Sequence, residues 1–193
     1  MTLTLNRQTD MISLSKTGAH LMCTRKGFRI MKELNTPTIN DEKANINRAA
    51  IEHRATWMGL IYDELKKDGI DPEPAFRRAI KRCGLIPGAN FKAACENPDD
   101  CRDFAKVFFG DLGRKTFEQD VHETTETETS VDFHYCALLA AWKKLGFDDE
   151  TCAKLCDIAM DGDRGIAEAM GLTLDLTDTI AKGCPTCKLC FHK

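Results

Sequence analysis

The sequence has no apolar run approaching the roughly 20 residues that cross a bilayer, so no membrane-spanning helix is expected. Its opening stretch, MTLTLNRQTDMISLSK, has no basic region followed by a continuous apolar core, so a secretory signal is not expected either. A surplus of positive charge is also missing. Lys and Arg number 27 against 30 Asp and Glu, a formal net charge of -3, so there is no basic field to hold nucleic acid through counterion release. Internal repeats and low-complexity segments are absent. Cysteine, by contrast, is abundant at ten residues in 193. A chain of this size builds its own core and does not need disulfide staples. The expected setting is therefore the reducing cytoplasm, with free thiols. Cys23, Cys83 and Cys95 read as small buried hydrophobes or surface thiols.

Residues 1–45 read as a partly irregular arm, with one short helix around Lys26–Leu34 and a loop over TPTIND at 36–41. A helix over 46–68 follows from apolar residues at three- and four-residue steps: Ile51, Ala55, Met58, Ile61, Tyr62 and Leu65, with Gly69 placed to end it. A second helix is predicted over 72–84, from Pro72 or Pro74 to Gly84. A third is predicted over 97–110, with Asn97 as cap and Pro98 at its first position. From 125 to 135, Thr125, Thr127, Thr129, Val131, Phe133 and Tyr135 alternate with Glu126, Glu128, Ser130, Asp132 and His134, which is the pattern of a half-buried strand. An earlier strand, about 114–122, could pair with it antiparallel. Residues 136–146 read as helix, and Asp148–Asp149 open a longer helix to about 169. Leu172, Leu174 and Leu176 mark another strand, and Cys187, Leu189 and Phe191 share one face of a closing strand at about 186–192. The predicted class is α+β: a helical N-terminal half packed with an antiparallel sheet carrying two inserted helices, with 46–193 as one domain.

Four groups of residues could carry chemistry. On one continuous helix, Asp157, Asp161 and Arg164 fall at i, i+4 and i+7 and line one stripe, with Asp163 on the adjacent face. Such a stripe can hold a zwitterion-like ligand, the guanidinium gripping a carboxylate and an aspartate binding an amidine N–H or deprotonating water. The same spacing also fits a solvated face laced with ion pairs. Gly162 and Gly165 inside it point to a close approach by backbone or ligand, or to a helix break near 162. In DFHYC, His134 and Cys136 point the same way if the strand continues, so Cys136 could be a nucleophile beside a histidine, or plain packing in the first turn of a helix. Near the C-terminus, Cys184, Cys187 and Cys190 imitate the spacing of a metal site, and zinc is the metal such a set would take. Strand alternation argues against it by sending Cys187 and Cys190 to opposite sides, so no cofactor is predicted. Finally, His53 and Trp57 lie one helical turn apart with Arg54 on the neighbouring face, and could wall a pocket between the helices and the sheet.

Four segments in order, IEHRATWMGLIYDE at 51–64, FHYCALLAAWKKLG at 133–146, LCDIAMDGDRGIAEAMG at 155–171 and TIAKG…C-x-L-x-FHK at 179–193, resemble the L-2-amino-thiazoline-4-carboxylic acid hydrolase family. The resemblance covers about 50–193 and departs from the family pattern at Cys184 and Cys190, where an acidic and a basic residue are usual. It implies a hydrolase that opens a cyclic isothiourea bearing a carboxylate, with water, to N-carbamoylcysteine. On that reading Arg164, and next Arg54, would clamp the carboxylate, and Asp163 or Asp157 would bind the amidine and deliver water. His134 would protonate the leaving sulfur, or Cys136 would attack directly. Asp161, His53 and Trp57 would line the substrate. The expected partner is a small molecule, with neither nucleic acid nor membrane, and with room for a homo-oligomer. Two other readings remain open at this stage: a non-catalytic small-molecule sensor, and a metal- or redox-linked protein using the terminal cysteines.

Overall fold

The computed structural model describes residues 34–193. The expected helix around Lys26–Leu34, Cys23 and most of the expected arm lie outside the described residues. From Asn35 to Asn40 the chain is a loop, and helix α1 (Glu42–Lys67) begins earlier than predicted. Its start is set by Asp41, whose side chain accepts from the Ala44 N–H at 3.0 Å. Ala44, Arg48, Ile51, Ala55, Gly59 and Tyr62 form its buried stripe, whereas Ile61, expected on that face, is 49% exposed. Gly69, with φ +76°, turns the chain away as predicted.

Helix α2 (Glu73–Ala94) does not stop at Gly84 but runs ten residues further, through Pro87. Gly84 serves contact rather than termination. A Cβ there would lie 1.9 Å from the Gly162 carbonyl oxygen, one at Gly165 would lie 2.4 Å from the Lys81 carbonyl oxygen, and one at Gly88 would lie 2.7 Å from Ala169 Cβ. The glycines thus let two helix backbones touch, which outweighs the roughly 1 kcal/mol that each costs against alanine in a helix. The other helix at this crossing is α7, described below.

The predicted third helix is shorter and starts later. Helix α3 (Cys101–Phe108) is capped by Asp100 rather than Asn97. Helix α4 (Asp111–Phe117) occupies most of the segment expected as a strand over 114–122. The Thr116 hydroxyl bonds back to the Leu112 carbonyl at 2.7 Å, and the helix ends where Glu118 takes a left-handed conformation, φ 52°. Only β1 (Gln119–Val121) remains extended, and it pairs antiparallel with Val131–Phe133 as expected.

Strand β2 (Glu128–Phe133) confirms the alternation: Thr129 and Val131 are fully buried. Helices α5 (Ala137–Lys144), α6 (Asp149–Ala159) and α7 (Asp161–Met170) follow. The single helix expected over 149–169 is therefore two helices broken at Met160, and three helices, not two, sit between β2 and β3. The break lets Gly162 and Gly165 meet α2. Strand β3 (Thr173–Leu176), a 3-10 turn (Ile180–Lys182) and β4 (Cys187–His192) complete an antiparallel sheet of order β1-β2-β4-β3. Cys187, Leu189 and Phe191 face inward as predicted. The helices cover that inner face. Trp142, Phe104, Phe191, Leu155, Ile158 and Ile180 are among the largest fully buried side chains. The Trp142 indole donates to the Ala55 carbonyl at 2.9 Å, fixing α5 on α1 where Gly59 leaves space. The fold is α+β, as the sequence pattern implies.

Candidate active site

The stripe of Asp157, Asp161 and Arg164 survives the helix break, but it is already occupied. Arg164 Nη2 donates to Asp157 Oδ1 at 2.9 Å and Nη1 to Asp161 Oδ1 at 2.6 Å. The other two carboxylate oxygens are taken by Arg77 of α2, Nη2 to Asp157 Oδ2 at 2.5 Å and Nη1 to Asp161 Oδ2 at 3.1 Å. Arg77 also pairs with Glu73, which binds Lys154 of α6. Every carboxylate in this group has a guanidinium, and Asp157 is held below the usual carboxylate range by its two arginines despite partial burial. The network bolts α2 across the α6–α7 break, leaving little hydrogen-bonding capacity for a ligand. Arg77 was not singled out from the sequence. Its partners lie 80 and 84 residues away, and nothing local signals them.

Asp163 differs. It sits in the first turn of α7, partly buried, with no hydrogen bond to another side chain among the described residues. Burial pushes its carboxyl up to about 6, against the pull of Arg54 and Arg164 and a bond from its own backbone N–H. The charge acting on the neighbouring Cys136 thiol is that of Asp163. Cys136 occupies the N-cap of α5, with φ -131° and ψ 109°, so its sulfur lies near the Leu138 and Leu139 N–H groups that no helical carbonyl reaches, without closing a side-chain capping hydrogen bond. Burial raises this thiol, and the two N–H groups lower it. Cys156 of α6 and Cys187 of β4 are its sulfur neighbours, and Cys187 is pushed up to about 12 by burial.

Arg54 of α1 is exposed, forms no ion pair among the described residues, and casts its charge on Asp163. A thiol at a helix N-terminus, a carboxyl poised near neutrality and a guanidinium with no ion pair among the described residues therefore lie within electrostatic reach of one another, on α5, α7 and α1. Such a set can attack an electrophilic carbon, move one proton and hold an anion.

The remaining predicted residues lie elsewhere. Strand β2 stops at Phe133, so the alternation that aimed His134 alongside Cys136 ends before either residue. His134 instead pairs with Asp120 at 2.8 Å on the open face of the sheet. His53 and Trp57 do meet edge-on one turn apart, the indole N–H donating to His53 Nε2 at 3.0 Å, but both are exposed, Trp57 by 63%, and they wall no pocket. Cys184 and Cys187 are buried, while Cys190 lies on the outer face between Ser130 and Asp175. Among the described residues no three His, Cys, Asp or Glu groups are arranged to hold a metal ion. No helix of the described residues is long and apolar enough to cross a membrane.

A second buried group escaped the sequence reading altogether. Glu118 accepts from Thr38 N–H at 2.6 Å, Ile39 N–H at 2.8 Å and the Thr38 hydroxyl at 2.8 Å, and pairs with Arg48 at 3.0 Å. Arg48 also donates to the Thr116, Lys115 and Ile39 carbonyls and lies 4.8 Å over the Tyr135 ring. Here the charges are satisfied and the task is structural: the network holds the 34–41 segment against α1 and the α4–β1 corner.

No curated protein sequence matches the chain. Among solved structures, trafficking protein particle complex subunit 3 from Naegleria fowleri, covalently bound to palmitic acid, aligns with 14% identity and a TM-score of 0.45, over 72% of this chain and 94% of that one. The sequence profile of the L-2-amino-thiazoline-4-carboxylic acid hydrolases matches residues 48–191, a span that contains Arg54, Cys136 and Asp163, and the chain belongs to that family.

Proposed function

We propose that the protein is a hydrolase that opens a small cyclic amidine or isothiourea carrying a carboxylate, with 2-amino-thiazoline-4-carboxylate as the leading substrate. The observation that carries this reading is the proximity of Cys136 and Asp163, a thiol and a carboxyl with no competing side-chain hydrogen bond among the described residues. The family membership supplies the substrate class. Arg54 holds the substrate carboxylate. The Cys136 sulfur attacks the carbon between the ring sulfur and the nitrogens, and Asp163 takes the thiol proton. The bond from that carbon to the ring sulfur breaks, and the sulfur leaves with the proton from Asp163. Water then adds to the carbon, the bond to Cys136 breaks, and the thiol is restored, so that one water is consumed and a ureido product is released.

The test is acid quenching during turnover, followed by peptide mass measurement. The account expects the whole substrate mass added on the Cys136 peptide in the wild-type chain and none in Cys136→Ser. Steady thiol release by Cys136→Ser at the wild-type rate would show that water attacks directly and the sulfur is packing.

A further inference from the structure

Cys136 is held by a residue from outside the family-matched region. The side-chain amide of Asn35 bonds both peptide groups of Cys136: its Oδ1 accepts from the Cys136 N–H at 2.8 Å, and its Nδ2 donates to the Cys136 carbonyl at 2.9 Å. The carbonyl has a second donor, the Ala140 N–H at 3.1 Å, which is the first bond of α5. Among the described residues the Cys136 N–H has Asn35 alone. It falls just after the last ladder bonds, Tyr135 N–H to Phe117 and His134 N–H to Glu118, where neither sheet nor helix supplies an acceptor. Asn35 thus closes the one gap in the backbone between β2 and α5, at the residue that presents the thiol.

We infer that Asn35 is a positioning residue for Cys136, and that the segment 34–41 is a strap belonging to the active site. The strap is pinned at its far end by Glu118, which takes the Thr38 and Ile39 N–H groups and is itself locked by Arg48. Between these anchors the amide fixes the Cys136 backbone at an extended N-cap geometry, which holds the sulfur near the Leu138 and Leu139 N–H groups, short of a capping hydrogen bond. Those two N–H groups counter the burial that raises the thiol, so loosening the backbone removes the stabilisation of the thiolate. The catalytic half of this inference rests on the Cys136 reading above. The positioning half does not.

The experiment uses the full chain and reads Cys136 with and without turnover. Alkylation by iodoacetamide is followed at the Cys136 peptide by mass across pH, with the exposed Cys83 as internal control. In Asn35→Ala the pH at which Cys136 becomes reactive rises by about one unit, the scale on which local hydrogen bonds move a thiol. The Cys83 profile stays in place, and kcat falls about tenfold or more with KM within about threefold. Asn35→Asp keeps the acceptor for the Cys136 N–H, and so keeps the strap seated if Asn35→Ala does not fold. Its carboxylate raises the thiol profile at least as far. Faster alkylation at every pH with an unmoved midpoint would mean that the strap is only a cover, and would overturn the inference. So would an unchanged profile together with unchanged kcat. If the wild-type chain turns over no thiazoline, the alkylation profiles still decide the positioning claim, and only the substrate reading fails.

Discussion

Two charged regions only a few residues apart in sequence behave in opposite ways. Asp157, Asp161 and Arg164 are saturated: Arg77 and Arg164 between them bind all four carboxylate oxygens. Asp163, two residues beyond Asp161, has no side-chain hydrogen-bond partner among the described residues and is raised to about 6. The first group has the composition of a substrate clamp and the geometry of a bolt. The second is plain in composition, yet it keeps a carboxyl and a thiol chemically available. A residue type in a promising pattern indicates chemistry only if the fold leaves its hydrogen-bonding capacity unspent.

The contrast is broken most severely by changes at Cys136 and Asp163. Cys136→Ser is expected to lower kcat by about a thousandfold or more, and Asp163→Asn by about a hundredfold, as for loss of a nucleophile and of an acid–base group, with far-UV circular dichroism unchanged. Asp163 also carries a pH signature. Its folded value of about 6 lies above its ordinary 3.8, so the folded chain binds that proton more tightly than the unfolded one. Wild-type stability therefore falls as pH rises from about 4 to about 6. Asp163→Asn removes that loss. Thermal melts of the two proteins should coincide near pH 4, and the variant should melt higher at about pH 7.5. The wild-type kcat/KM should rise with pH through a midpoint near 6 as the base ionises.

Next in size is the structural network. Glu118→Gln leaves Arg48, which is only 6% exposed, without its counter-charge, and should cost about 3–5 kcal/mol in urea unfolding. Arg54→Gln should raise KM about tenfold with kcat within about threefold, as expected for uniform binding of the substrate carboxylate. The smallest effect is expected from the bolt. Arg77→Ala removes three partly exposed ion pairs while Arg164 still neutralises Asp157 and Asp161, and should cost about 1 kcal/mol of stability while kcat/KM stays within about threefold.

Much of the fold was legible. The heptad-like spacing of Ile51, Ala55 and Tyr62 marks α1, and the alternation through Thr129 and Val131 marks β2, because each pattern reports one buried face. Gly84 looks like a helix end yet is internal, because its missing side chain lets the Gly162 carbonyl come close from a segment far apart in sequence, whereas the break and close approach expected near Gly162 and Gly165 are both present. Residues 114–117 have no strong alternation, and continue the helix that starts after its extended N-cap, Gly110. Of the candidate residues, Cys136, Asp163 and Arg54, on which the proposed reaction rests, all stood out in the sequence. What sequence could not supply was the sorting between them and Asp157, Asp161, Arg164 and His134, since that depends on partners such as Arg77 and Asp120. Asn35 and the Arg48–Glu118 pair left no signal, because a polar residue in a loop or a helix reads as solvated until its distant partner is known.

The most direct test compares Asp163→Asn with Asp157→Asn for thiol release from 2-amino-thiazoline-4-carboxylate, measured after the protein is removed. The account predicts that Asp163→Asn loses about a hundredfold or more in kcat/KM, while Asp157→Asn stays within about threefold. The reverse order would contradict it, and would place the chemistry in the Arg77–Asp157–Arg164 cluster.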